Sequence, residues 1–163
     1  MRRRKGTLAA LFGAVVLLAA AMRGRLRRYA IVEQSMEPTL SEGDWTVARH
    51  LSALPRRGAI VVFPDPRRSE TELVKRVVGL PGERVTIANG QVHIAEAVLA
   101  EPWADGPTRP DGEWMLGPEE LFVLGDARST SAADSRTLGP IAASTAQWQI
   151  TARYWPPGSI GRI

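Results

Sequence analysis

Two patterns of hydrophobic and polar positions divide this chain. From Gly6 to Met22 the sequence is uncharged and mostly apolar. Beyond Tyr29 no helical period persists, and short runs of strand character alternate with turns. Tyr29–Gln34 reads as a strand, and Trp45–Arg49 and Ala59–Phe63 as two more, separated by a loop with Pro55 and Gly58. Glu72–Val78 alternates cleanly, placing Leu73, Lys75 and Val77 on one face. Val85–Ala88 and Gln91–Ala95 flank Asn89-Gly90, a two-residue hairpin signal. Glu120–Leu124 and Trp148–Trp155 complete the set, the last stopped by Pro156-Pro157. With 15 glycines and 12 prolines punctuating such short runs, the expected fold is mainly β, antiparallel, and either barrel-like or two-sheeted.

The 17 residues from Gly6 to Met22 would span about 25 Å as a helix, against a hydrocarbon core of about 30 Å. Arg2-Arg3-Arg4-Lys5 precede the run, and Arg23, Arg25, Arg27 and Arg28 follow it. Flanking arginines snorkel to the headgroups, which lets a short run cross. Small residues at Ala19-Ala20-Ala21 also suit a cleavable leader, but four arginines just beyond them oppose translocation and cleavage. The division expected is therefore residues 1–28 as a basic-flanked membrane anchor and 29–163 as a β-rich domain. This division changes the meaning of the net charge of +4, because residues 1–28 hold eight basic and no acidic side chains. The remaining 135 residues carry 13 basic and 17 acidic ones, which points the positive charge at membrane lipid and excludes a basic nucleic-acid-binding body.

The absence of cysteine removes disulfides, thiol nucleophiles and thiolate zinc sites, and two histidines, His50 and His93, cannot build a typical catalytic zinc site without carboxylate help. No metal or other cofactor is expected. A covalent mechanism would then need serine or threonine with a base to take its proton. No Ser-His-Asp arrangement is evident, which leaves lysine, and Lys75 is the only lysine beyond Lys5. Its same-face neighbours Leu73 and Val77 are apolar, and desolvation lowers a lysine pKa toward the range a general base requires. On this local pattern alone Lys75 would be an ordinary solvated lysine on a surface strand. Ser35 in Ser35-Met36-Glu37-Pro38-Thr39-Leu40 lies between an apolar strand and a proline turn, and read alone would be an ordinary turn serine. Gly125-Asp126 through Asp134-Ser135-Arg136 is a loop of small polar residues and both charge signs.

Taken together and in order, these segments resemble the three boxes of type I signal peptidases. Ser35-Met36-x-Pro38-Thr39-Leu40 resembles the nucleophile box, Val74-Lys75-Arg76-Val77-Val78-Gly79-Leu80-Pro81-Gly82-Glu83 the lysine box, and Gly125-Asp126 through Arg136 with Gly139 the last box. Glu101-Pro102-Trp103 resembles the family's linking segment. The resemblance covers roughly residues 5–155. It implies a β-rich signal-peptidase-like catalytic core with one N-terminal transmembrane helix, and a Ser–Lys endopeptidase without cofactors. Ser35 would be the nucleophile and Lys75 the base. Asp126 would pair with Arg76, and Asp134 with Arg136. Met36, Leu40 and Val74 would line the pocket for a small residue before the cut. The partners implied are precursor proteins with signal or leader peptides and membrane lipid. The place implied is the cytoplasmic membrane, single-pass, with the catalytic domain outside.

Three departures from the family pattern stand out. Glu33 lies two residues before the serine, where the family usually has serine, threonine or glycine near the oxyanion. Ala127 replaces the usual asparagine. Eight positions separate Asp126 from Asp134, one more than is common, so the serine that orients the lysine is Ser131 if a gap follows it. The short core and the ending Arg153-Tyr154-Trp155-Pro156 resemble small actinobacterial-type members, some of which mature a dedicated precursor such as a nickel-type superoxide dismutase. The alternatives are a non-catalytic membrane-tethered relative and a self-cleaving DNA-bound repressor. The latter finds no helix-turn-helix pattern here.

Overall fold

A computed structural model describes residues 24–163. Twelve strands appear among them: β1 (Leu26–Ala30), β2 (Trp45–His50), β3 (Ile60–Asp65), β4 (Arg68–Gly79), β5 (Arg84–Ala88), β6 (Gln91–Ile94), β7 (Ala97–Val98), β8 (Gly112–Met115), β9 (Glu120–Leu124), β10 (Ile141–Ala142), β11 (Trp148–Trp155) and β12 (Gly161–Arg162). One short helix, α1 (Ser135–Leu138), follows β9. The predicted span over residues 6–22 lies outside the described residues, and no helix among the described ones is long and apolar enough to cross a membrane.

The strands form two antiparallel sheets. The larger runs β1-β2-β11-β3-β4-β9-β10, with β12 added to β11, and the smaller runs β7-β6-β5-β8. The strands β3 and β4 make the centre of the larger sheet, with Val61 opposite Lys75 and Val62 opposite Val74. Four successive residues of β3, Ile60 to Phe63, are buried because the sheet is covered on both faces. Val61 and Phe63 pack with Leu73, Val77, Leu121 and Val123 on one side. Ile60 and Val62 pack with Ile31, Met36, Leu40 and Ile150 on the other. A third cluster, containing Val78, Val85, Ile87, Phe122 and Leu124, joins the two sheets. Gly79 permits that junction: a Cβ there would fall 2.6 Å from Val85 Cγ2 and 2.8 Å from Leu116 Cδ1. Asn89 and Gly90 both have positive φ, as the tight hairpin between β5 and β6 requires.

The first predicted strand needs correction. Strand character starts at Leu26, inside the segment assigned above to the anchor, and ends at Ala30 rather than Gln34. Arg27 is thereby held on the sheet, with its guanidinium 3.1 Å from the Glu72 carboxylate and over the Tyr29 ring. Ile31 still exchanges backbone bonds with Gly43 and Asp44, but the chain then leaves the ladder. Val32 is 75% exposed, and the N–H groups of Val32 and Glu33 find no partner among the described residues. The departure is dictated by the turn that follows, where Met36 and Leu40 must reach the core.

Candidate active site

Ser35 sits in a turn closed by Glu37 N–H donating to Gln34 O (3.1 Å) and Leu40 N–H donating to Met36 O (2.8 Å). Ile31 before the serine and Met36 and Leu40 after it are buried in one apolar cluster, so the hydroxyl is fixed from both sides. Lys75 rises from β4 between Leu73 and Val77 and is only 1% exposed. Its Nζ lies 2.7 Å from Ser35 Oγ and 3.0 Å from Val74 O. These are its only hydrogen-bond partners among the described residues. Burial lowers the Lys75 pKa below its ordinary value, outweighing the opposite pull of Glu33, Asp134 and Asp126, and Arg136 adds to the lowering.

Two buried ion pairs brace this contact. Arg76, on the face of β4 opposite Lys75, binds Asp126 with both arms, Nε to Oδ1 at 2.8 Å and Nη2 to Oδ2 at 2.6 Å. Arg76 also donates to Gly58 O and lies over the Trp103 ring. Asp134 caps α1 and accepts from Arg136 Nε at 2.9 Å and Nη2 at 2.8 Å, and from Gly125 N–H. Burial alone would raise the Asp134 pKa, but the bonds and charge of Arg136 hold it below the usual carboxylate range.

Ser131 Oγ donates to Asp134 at 2.8 Å rather than to Lys75. Its N–H and that of Thr130 both bond Ala127 O, so a tight turn absorbs the extra residue of this loop. Gly125 is required beside it, because a Cβ there would collide with the Ser131 side chain and fall 2.6 Å from Ser35 O. Ala127, despite lacking an amide side chain, donates its backbone N–H to Ser35 O at 3.2 Å.

Four side chains to which the motifs assign no role complete the frame. Thr39 Oγ1 donates to Asp126 at 2.6 Å and accepts from Arg76, tying the serine turn to the ion pair. Arg128, fully surrounded, pairs with Glu101 at 2.6 Å and bonds Thr108. This links the last-box loop to the segment leaving the smaller sheet. A buried arginine demands such acceptors, but nothing in local spacing shows that Glu101 and Thr108 supply them.

Two grooves meet at the Ser35–Lys75 contact. One, of about 110 Å³, runs between Tyr29–Met36 and Thr71–Lys75; Ile31, Val32, Met36, Leu73 and Val74 line it, with Glu72 at one side and Glu33 on the wall it shares with the second groove. Leu40 lies beneath the serine turn and does not line it. The other, of about 420 Å³, is lined by Glu33, Glu42, Thr130, Ala132 and Ala133.

The family model described as "Signal peptidase, peptidase S26" matches residues 4–155. The chain is 34% identical over 149 residues to signal peptidase I of Leptolyngbya laminosa, covering 82% of this chain and 70% of that protein. It is 31% identical over 163 residues to signal peptidase I of Bacillus caldolyticus, covering 89% and 88%. A crystal structure of a signal peptidase I from Enterococcus faecalis resembles it with a TM-score of 0.54 at 26% identity, over 61% of this chain and 98% of that one.

Proposed function

The chain belongs to the signal peptidase family, peptidase S26, and from that premise we propose that Ser35 is the nucleophile and Lys75 its general base in removing signal peptides from precursor proteins. The observation that carries this reading is the 2.7 Å contact between Ser35 Oγ and a lysine nitrogen that is almost wholly buried. Neutral Lys75 takes the hydroxyl proton as Oγ bonds to the scissile carbonyl carbon. The N–H groups of Ser35 and Met36, without partners among the described residues, are donors for the oxyanion. The lysine then gives its proton to the leaving amine, and a water activated by the same nitrogen releases the acyl group.

Arg76, Asp126, Asp134, Arg136 and Ser131 act as positioning residues in this scheme. Substrate enters as an added strand between Ile31–Ser35 and the part of β4 that precedes Arg76. That stretch of β4 favours this mode because β9 pairs with β4 only from Arg76 onward. A groove of about 110 Å³ lined by Met36 and Val74 suits a small residue before the cut. Purified protein should cut a precursor after a small residue, and a serine-directed acylating inhibitor should add its mass at Ser35. Ser35→Ala should lose both. Cleavage that survives in that variant would sink the assignment.

We further propose that residues 6–22 cross the cytoplasmic membrane with the body outside, because exported precursors emerge on that side. Protease added to intact spheroplasts should digest the body from Leu26 onward. Protection until the membrane is broken would reverse the topology.

A further inference from the structure

The groove of about 420 Å³ beyond Ser35 and the smaller one share Glu33 on their common wall, but the second glutamate of the smaller groove, Glu72, is paired with Arg27, whereas that of the larger, Glu42, is not paired among the described residues. Glu33 and Glu42 both line the larger groove, together with Gln34, the Ser35–Lys75 pair and the small residues Thr130, Ala132 and Ala133. Both carboxylate residues are exposed, and neither has an ion-pair partner within 4 Å among the described residues. The arginines nearest the site are already committed, Arg76 to Asp126 and Arg136 to Asp134. The one cation in the groove wall, Lys75, has its charged form disfavoured by burial, while Glu33 exerts the largest opposing charge effect on it. Negative charge beside the nucleophile is therefore left open to whatever occupies the groove. An oxyanion formed there would be opposed by Glu33, and a cationic group on the substrate would offset that opposition.

Resting on the Ser35–Lys75 reading, we propose that Glu33, assisted by Glu42, is a specificity-determining residue that favours precursors with a lysine or arginine in the first two positions after the cut. The residue before the cut fills the smaller groove against Met36 and Val74, so the residues after it run past Glu33 into the larger one. There a long cationic side chain has room and reaches both carboxylates. An exposed ion pair shifts affinity up to about fivefold. Exchanging arginine for glutamate replaces attraction by repulsion, so the expected preference is about tenfold.

The test uses full-chain protein and matched peptides with alanine before the cut and arginine, glutamine or glutamate at each of the two following positions. The wild type should cut the arginine peptide with a kcat/KM about tenfold above that of the glutamate peptide, less so at high salt. Glu33→Gln should bring that ratio to within about twofold. A wild-type ratio near one, or a preference that survives Glu33→Gln, overturns the proposal. The same peptides are titrated onto Ser35→Ala and onto the Ser35→Ala, Glu33→Gln double variant, where Kd replaces rate. Charge preference in binding without any cleavage by the wild type would leave Glu33 in its role and reject the dyad. Cleavage without charge preference would do the reverse.

Discussion

Lys75→Met is expected to lower kcat/KM for a signal-peptide substrate by about ten-thousandfold or more, while making the protein more stable at neutral pH. The loss follows because the proton acceptor 2.7 Å from Ser35 Oγ is removed, and deleting one member of a nucleophile–base unit costs nearly as much as deleting all of it. The stability gain has a separate cause. Burial lowers the Lys75 pKa from its ordinary 10.5, so the folded state holds the lysine proton less tightly than the unfolded state does. The cost is present in full below the lowered pKa and disappears as pH rises from there toward 10.5. Methionine has similar bulk and no charge to desolvate, so the advantage of the variant should be greatest at low and neutral pH and close in alkali. Thermal melts across pH test the second effect, and initial rates the first. The wild-type rate should itself rise with pH through the lowered lysine pKa. A lysine variant that retains activity, or a rate that follows an unshifted lysine near 10.5, would remove Lys75 from the mechanism.

Asp126→Ala is expected to destabilise the fold by about 3–5 kcal/mol, the range found when one partner of a buried ion pair is deleted. Asp126 is completely buried and accepts from three donors, Arg76 Nε, Arg76 Nη2 and Thr39 Oγ1. Truncation leaves the Arg76 guanidinium buried with Gly58 O, Thr39 Oγ1 and the Trp103 face to compensate it among the described residues. Because Thr39 belongs to the turn that carries Ser35, activity should fall in the fraction that still folds. Asp126→Asn, which keeps an acceptor, should cost less. Replacing Arg76 and Asp126 together by apolar residues should recover part of the stability, since the desolvation penalty then vanishes for both. Urea denaturation of the wild type and these three variants measures the differences. An Asp126→Ala cost below about 1 kcal/mol would show that the pair is not what holds the two segments together.

These expectations draw unequally on sequence and structure. Alternation alone put Lys75 on the face of Leu73 and Val77, because a pleated strand admits only two faces. Asn89-Gly90 announced its hairpin because few residues tolerate positive φ at both central positions. The last strand, Trp148–Trp155, was read to the residue because two prolines end it. The resemblance to signal peptidases was likewise legible, since three short boxes carry it in order.

The end of the first strand was not legible. Ile31–Gln34 has strand propensity, but the burial of Met36 and Leu40 pulls the chain off the ladder after Ile31. The direction of Ser131 also depends on tertiary packing: Gly125 and Asp134 decide it, and they leave Lys75 to Ser35 and Val74 O. Partners across long sequence separations, such as Glu101 for Arg128 and Thr39 for Asp126, have no local signal at all. By itself the sequence determined which residue types were available for chemistry, the antiparallel β class and the face of Lys75, all of which follow from composition and from the two-residue period. The tertiary structure alone decided which buried charge meets which and how far Lys75 is desolvated. It also decided that Glu33 opens onto a groove rather than onto bulk solvent, because burial and long-range pairing are properties of the packed chain and not of any segment within it.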